Sequence, residues 1–372
     1  MTIKEQVYRA HAFLQARCVT SLKRSHVHEL LTAAVGYRTY AGFQHDATWC
    51  SVPFSFTGID PDPGAVRSRC RELGLPADEA ERVVEGLPIF LRDAGHAPVR
   101  FDALIAAVEG VDKDSDWHEW VWTHVIEPAD GALDFYFEHQ RLLLEGLEAA
   151  AQRGAPDAHL AIAKLLESEA VAFGDEDERV RRQVKREGTW TSPFVSFVDV
   201  EANRLRAEEK HRDHLLAAAR GGDIRALMET AERYGDPAVL ERPPSAEMDP
   251  MSMVDIASEY GDRETARYWL TAAAQEGDIG AMRELILDHK EPDERAWVWM
   301  HLSRLLEHDL SKDRYEAIYE DGSPYDDDVG GPAYVGGDEG IDLTPLPNDA
   351  DAVARQTAEQ LFAQINAEPD RI

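Results

Sequence analysis

The chain has 372 residues and a formal net charge of −32 at neutral pH. Its length allows two or three domains, and its 44% of hydrophobic residues is enough to build a core, which excludes global disorder. An acidic surface of this kind repels nucleic acid and anionic membranes. Residues 1–60 carry six basic and four acidic side chains, whereas the rest of the chain sums to −34, so we expect any nucleic-acid contact to use the first sixty residues.

The N-terminal sequence MTIKEQVYRAHAFLQARC has no apolar signal-peptide core, and no apolar run approaches the length of a membrane span. The three cysteines, Cys18, Cys50 and Cys70, are odd in number and form no Cys-x-x-Cys motif. We interpret them as free thiols in a reducing compartment rather than as disulfides or zinc ligands. These features predict a cytoplasmic protein.

Residues 1–125 are predicted to form an N-terminal helical module. Ser25 is expected to cap the second helix and Pro76 to open the fourth. The segment WCSVPFSFTGIDPDPG, residues 49–64, indicates a loop with a short extended piece. The six helices are expected at 3–17, 26–35, 64–73, 77–94, 99–109 and 115–126.

Within this module, residues 21–46 predict a helix, a turn and a short second helix. The segment resembles a helical region found in bacterial proteins of unassigned role. A DNA-linked regulator with a helix-turn-helix reader is one interpretation, in which Lys23, Arg24 and Arg38 contact phosphates. The second helix has one basic residue, at its start, so we favour a packing unit. Its expected core is Leu30, Leu31, Val35, Tyr40 and Phe43.

One pattern, Ala-Ala-Ala-x-x-Gly-x-x-x-Ala, recurs three times between residues 131 and 310. Glycine adopts the left-handed conformation that ends many helices, and alanines let two helices approach closely. Each copy therefore predicts a tight antiparallel helix pair. Asp223 and Asp278 are placed to cap the second helix, and Pro156 suits a first helical turn. The copies begin at Ala149, Ala217 and Ala272, and their key positions are Gly154, Ala158, Gly222, Ala226, Gly277 and Ala281.

The third copy, within ARYWLTAAAQEGD (266–278), resembles the SEL-one-like repeats, an α/α family related to tetratricopeptide repeats. The matching residues are Ala266, Trp269, Ala272, Ala273, Gly277 and Asp278. A fourth segment, AWVWMHLSRL (296–305), is similar at Ala296 and Trp299 but has Glu307 at the glycine position. The first two copies have Gly146 and His214 in place of the tryptophan. The resemblance covers residues 140–310 and implies an α/α solenoid that acts as an adaptor or scaffold.

Two insertions, at 173–200 and 235–250, interrupt the predicted repeat domain. Residues 311–348 then form an acidic, glycine-rich stretch that is predicted to be nonhelical. Residues 349–368 return to a helical pattern. Its apolar positions lie four apart, which predicts a helix that caps the end of a solenoid. These positions are Val353, Thr357, Leu361 and Ile365.

The acidic stretch offers carboxylates for a cation between residues 320 and 339, with Asp326, Asp327 and Asp328 as the weak candidate ligands. Their spacing does not match a calcium-binding EF-hand loop, so we favour a solvated loop. Cation binding or metal-dependent activity through this loop is kept as an alternative. The glycine pairs nearby do not indicate a phosphate-binding loop, because no Lys-Ser or Lys-Thr follows them.

Three tryptophans, Trp117, Trp120 and Trp122, lie close together in DWHEWVWTHVIE. A zinc-protease motif is excluded there because Trp122 stands where the second histidine is needed. We favour packing at the joint between the module and the repeats. The alternative is that these side chains anchor a protein partner, since tryptophan is enriched in interface hot spots.

Glu208, His211 and His214 lie three residues apart on one face of a predicted helix. A further metal ligand is not evident from the sequence, so we favour a solvated polar face over a metal site. The chain also lacks a serine nucleophile motif and a cysteine paired with a base. We therefore expect no catalysis and no cofactor, and we interpret the chain as a scaffold for a protein partner of basic charge.

Overall fold

The computed structural model describes residues 2–50, 60–110, 141–167, 208–287, 293–319, 323, 325 and 332–367. These residues are mostly helical, and their strands form two small antiparallel pairs. The all-α fold class is therefore confirmed. The chain divides into two compact units, Met1–Thr230 and Ala231–Ile372. The first unit holds both the N-terminal module and the first two repeat copies, so it extends well beyond the predicted module boundary at residue 125.

The first unit begins with six helices and one strand pair. They are α1 (Ile3–Gln15), α2 (Arg24–Ala34), α3 (Tyr40–Asp46), β1 (Ala47–Cys50), α4 (Pro63–Glu72), α5 (Ala77–Ala94), β2 (Ala97–Arg100) and α6 (Phe101–Glu109). The repeat copies follow as α7 (Arg141–Gln152), α8 (156–167), α9 (208–220) and α10 (Ile224–Tyr234), whose last turn belongs to the second unit. Strands β1 and β2 are antiparallel, with Ala47 opposite Arg100.

The helices of the N-terminal module lie near their predicted positions, with shifted ends. Helix α2 starts at Arg24 and has Lys23 as its N-cap, so the prediction that Ser25 caps it is wrong. Pro76 does precede the first residue of α5. The sequence does not predict the β1–β2 pair, which takes the first two residues of the predicted helix 99–109. The predicted helix 115–126 lies outside the described residues.

Helix α7 packs on β1, and this contact joins the first repeat copy to the N-terminal module. A Cβ on Gly146 would clash with the side chain of Thr48 in β1. Gly146 occupies the position of the tryptophan in the SEL-one-like pattern. The strand therefore leaves no space for a larger side chain at residue 146.

The second unit is built from consecutive helices that pack on one another. After a short 3-10 helix (Pro237–Glu241) come α11 (Pro250–Tyr260), α12 (Arg263–Glu276), α13 (Ile279–Leu287), α14 (Asp293–Leu305), β3 (Arg314–Ile318), β4 (Tyr334–Asp338) and α15 (Asn348–Ala367). Helix α11 packs on α12, α12 on α13, α13 on α14, and α14 on α15, which also contacts α12. Sequential helix-on-helix packing of this kind is typical of α/α pairs.

Helix α15 takes the place of the predicted C-terminal helix, but its buried face is rotated by one residue. Ala354 and Ala358 are buried, whereas Val353 is 63% exposed, so the predicted placement of Val353 on the packed face is wrong. The acidic stretch before α15 contains the antiparallel pair of β3 and β4. Asp326, Asp327 and Asp328, between these strands, lie outside the described residues.

Candidate functional site

The same turn joins the two helices of each repeat copy. In the third copy, Gly277 has a φ of 104°, and its amide donates to the carbonyl of Ala274 at 3.2 Å. The amide of Asp278 donates to the carbonyl of Ala273 at 3.0 Å. This pair of bonds is the Schellman motif, which satisfies the last carbonyls of a helix. The equivalent donor–acceptor pairs are Gly154–Ala151 and Ala155–Ala150 in the first copy, and Gly222–Ala219 and Asp223–Ala218 in the second.

The next helix starts directly after each of these turns. The carboxylates of Asp223 and Asp278 accept hydrogen bonds from amides three residues later, at 3.0 and 2.7 Å, so both predicted caps are confirmed. The first copy uses Pro156 at the start of α8 instead. The alanine four residues after each glycine is fully buried, which lets the paired helices lie close together. These alanines are Ala158, Ala226 and Ala281.

A fourth turn of the same kind ends α14, with Glu307 in the position of the glycine. Its φ is 61°, and among the described residues it is the one non-glycine residue with positive φ. The amide of Glu307 donates to the backbone carbonyl of Arg304 at 3.2 Å, and the amide of His308 donates to the backbone carbonyl of Ser303 at 2.8 Å. The left-handed conformation costs a residue with a Cβ about 1–2 kcal/mol. The fourth copy therefore keeps the hydrogen bonds of the turn at a cost in backbone strain.

The turns are in contact pairwise within each unit. In the first unit, a Cβ on Gly221 would lie 2.6 Å from Cγ of Pro156, so the second turn packs directly on the first. In the second unit, a Cβ on Gly277 would lie 3.7 Å from Cδ1 of Leu306, next to the fourth turn. Trp269 and Trp299 are buried in these helix pairs. Neighbouring copies therefore pack turn against turn.

A largely buried polar cluster lies between α8, α9 and α10. Nζ of Lys164 is 3.0 Å from Oε2 of Glu229, 3.1 Å from Oε1 of Glu109 and 3.9 Å from Oε2 of Glu167. Burial alone lowers the pKa of Lys164, but the facing carboxylates of Glu229 and Glu109 raise it above its ordinary value. Burial alone raises the pKa of Glu229, but His211 and the charge of Lys164 lower it. Lys164 and Glu229 are therefore held as an oppositely charged pair.

His211, in α9, is the buried histidine of this cluster. Its Nε2 is 3.6 Å from Oε1 of Glu229, and its side chain is 5% exposed. The sequence favours a solvated polar face for His211, and this expectation is wrong because α8 and α10 cover it. Among the described residues, Glu167, His211 and Glu229 can each place one ligand atom within 4.8 Å of the others. The sequence does not reveal this set, because its three members are distant along the chain.

A pair of histidines links α8 and α9. Nδ1 of His159 is 2.9 Å from Nδ1 of His214, so in the neutral pair one ring donates and the other accepts. Burial lowers the pKa of both rings, and the charge of His159 lowers the pKa of His214 further. His214 stands at the tryptophan position of the second copy. In this copy the position is therefore occupied by an imidazole that contacts His159 of α8.

The sequence also predicts a tryptophan contact for a protein partner and a basic contact for DNA. Trp117, Trp120 and Trp122 lie outside the described residues, so their role as partner contacts stays a prediction. In α3, the short helix of the proposed DNA reader, the exposed residues carry no lysine or arginine. These exposed residues are Ala41, Gly42, His45 and Asp46. The guanidinium of Arg24 lies over the ring of Tyr8 at 5.4 Å.

Comparison with known proteins finds no protein-family model, curated protein or solved structure that matches the chain. The resemblance to SEL-one-like repeats therefore stays a prediction from the sequence motifs. In the part of the chain that the structure describes, no helix has the length and apolar character needed to cross a membrane.

Proposed function

We propose that the protein is a noncatalytic scaffold that binds another protein through its helical repeats. The observation that carries this proposal is the set of four equivalent helix turns, at Gly154, Gly222, Gly277 and Glu307, which pack in pairs. Stacked helix pairs expose side chains from successive repeats along one extended surface, and such surfaces bind proteins. The resemblance to the SEL-one-like family implies the same role.

Exposed tyrosines on consecutive helices of the second unit are the best candidates for the contact surface. Tyr234 at the end of α10, Tyr260 at the end of α11 and Tyr268 in α12 are 37%, 36% and 52% exposed. The ring of Tyr268 packs edge-on against the buried Trp269, with ring centroids 5.2 Å apart, and this contact restricts its orientation. Tyrosine is enriched among the residues that dominate binding energy. These side chains offer apolar contact area on an acidic protein.

The net charge of −32 indicates the chemistry of the partner. A protein of this charge attracts basic partners over a distance of several ångströms and accelerates their encounter at low salt. We therefore propose a basic protein partner whose contact face also contains apolar side chains. Screening by salt shortens the range of this attraction to about 8 Å at physiological ionic strength.

The test uses the full-length chain to capture partners from an extract of the source cells at low salt, with identification by mass spectrometry. Association of each purified partner is then measured between about 50 and 500 mM salt, where we expect a fall in rate of about tenfold. Tyr260→Ser and Tyr268→Ser should weaken binding. Tyr8→Ser is the matched control, because Tyr8 is 58% exposed but lies in the N-terminal module.

Two results would contradict the proposed function. One is that no captured protein binds the purified chain directly. The other is that binding is unchanged by salt and by both tyrosine substitutions in the second unit, since the repeat surface would then have no part in it.

A further inference from the structure

The cluster between α8, α9 and α10 brings three potential metal-ligand side chains together. A zinc ion binds imidazole nitrogen and carboxylate oxygen at about 2.0–2.2 Å, so two ligand atoms on one tetrahedral ion lie about 3.4 Å apart. Nε2 of His211 and Oε1 of Glu229 are 3.6 Å apart, which is longer than an ordinary hydrogen bond and close to this ligand separation. One atom from Glu167 completes a set within 4.8 Å.

The charges of the cluster also fit a dication. Three carboxylates, Glu109, Glu167 and Glu229, surround the single ammonium group of Lys164. With His211 neutral, as a metal ligand must be, the three carboxylates and Lys164 carry two negative formal charges, and Arg225 also acts electrostatically on Glu109. Glu229 is 9% exposed and His211 is 5% exposed, so solvent screens the charge of Glu229 poorly. A dication brings the cluster to neutrality.

Lys164 and a metal ion do not need the same oxygen atom of Glu229. The ammonium lies against Oε2 at 3.0 Å, and it is also held by Glu109 at 3.1 Å. Oε1 of Glu229 faces His211 instead. The distance from Lys164 to Glu167 is 3.9 Å, so this carboxylate is only loosely held by the ammonium. Glu167 is also partly exposed, which gives an ion a way in from solvent.

We propose that Glu167, His211 and Glu229 bind one divalent transition-metal ion, of which zinc and manganese are the representatives to test. One imidazole and two carboxylates suit this class of metal better than calcium, which prefers six to eight oxygen ligands. Water completes the coordination. Because Glu167 lies in the first repeat copy and the other two ligands in the second, the ion joins the two copies and stabilises their packing.

The test uses the full-length chain after treatment with a chelator and removal of the chelator. Zinc, manganese and cobalt chlorides are titrated separately by calorimetry, with calcium chloride for comparison, and thermal unfolding is followed with each ion. We expect one ion per chain, a raised Tm with at least one transition metal and no equivalent effect with calcium. Cobalt should also give a visible absorption band characteristic of nitrogen and oxygen ligation.

Substitutions assign the binding to this cluster. His211→Gln and Glu167→Gln should each weaken binding by about tenfold or more, because each removes a direct ligand. Glu167→Gln is the safer variant for folding, since its side chain is 31% exposed. His45→Gln and Glu247→Gln are the matched controls, because both residues are exposed and lie outside the cluster. A variant with Asp326→Asn, Asp327→Asn and Asp328→Asn tests the acidic loop as the alternative location.

The proposal is supported if the two cluster variants lose the ion while the control and loop variants keep it. It is overturned if the wild-type chain binds no transition metal in calorimetry. It is also overturned if the ion is retained by both cluster variants, whether or not the loop variant loses it. None of these outcomes depends on a protein partner, so the metal proposal can fail or succeed independently of the proposed scaffold function.

Discussion

Lys164 and Glu229 form an ion pair of 3.0 Å between the first and second repeat copies, and both side chains are at most 15% exposed. Removing one member of such a pair leaves the other charge without its counter-ion in a poorly solvated place, which is strongly destabilising. Glu229 is also one of the proposed metal ligands, so the effect of the pair on stability has to be measured without metal.

We predict that Lys164→Met lowers the free energy of unfolding by about 1–3 kcal/mol, because Glu109 and Glu229 then face each other across an apolar side chain. Urea unfolding in the presence of chelator measures this loss. The control is Lys312→Met, which removes an ammonium that is 77% exposed and 3.6 Å from Asp309, and which should change stability by less than about 0.5 kcal/mol. Equal losses of unfolding free energy in the two variants would show that the buried ion pair contributes no more to stability than the exposed one.

The contact between His159 and His214 predicts a loss of stability in mild acid. Both rings have a pKa below 6.5 in the folded protein, so the unfolded chain binds more protons than the folded one as the pH falls through that value. The stabilisation is therefore complete above pH 6.5 and decreases below it. Lys210 adds to the lowered pKa of His214, whereas Asp213 opposes it.

The measurement compares unfolding free energies at pH 7.5 and 5.5 for the wild type and for His159→Gln. We expect a smaller acid loss in the variant, because it lacks a ring whose pKa is lowered by burial and because the charge of that ring no longer lowers the pKa of His214. His96 has a pKa lowered to about 4 by burial and by Arg9, and it adds an acid loss of the same sign to both proteins. The difference between them therefore isolates the histidine pair. An unchanged acid loss would show that the pKa of His159 is not lowered in the folded protein and that its charge does not act on His214.

The positive φ of Glu307 predicts a stabilising substitution. Glu307→Gly should raise the free energy of unfolding by about 1 kcal/mol, because glycine adopts the left-handed conformation without a steric cost. The reverse change, Gly277→Ala, should lower it by a similar amount, since a Cβ would be strained at a φ of 104° and would meet Ile365 at 3.4 Å. Thermal unfolding of both variants measures the two effects. A destabilised Glu307→Gly protein would show that the glutamate side chain contributes more than its strained backbone costs.

The repeat turns are predictable from the sequence because their chemistry is local. Glycine, the preceding alanines and the capping aspartate lie within ten residues of one another, and Asp278 caps its helix as the spacing predicts. Contacts between distant segments have no such signal. The sequence shows that Gly146 replaces the tryptophan of the pattern, but it gives no sign that Thr48 packs against this position. The same holds for Lys164 and Glu229, whose pairing depends on how the first two copies pack.

The buried alanine of the third copy gives the most direct test of close helix packing. Ala281 is 0% exposed, so a larger side chain has no free volume to occupy. Ala281→Leu should lower the free energy of unfolding by about 1–3 kcal/mol through overpacking. Ala363→Leu in α15 is the matched control, because Ala363 is exposed and the same substitution there should change stability by less than about 0.5 kcal/mol. If Ala281→Leu is tolerated as well as the control, α12 and α13 are not packed as closely as the small-residue pattern requires.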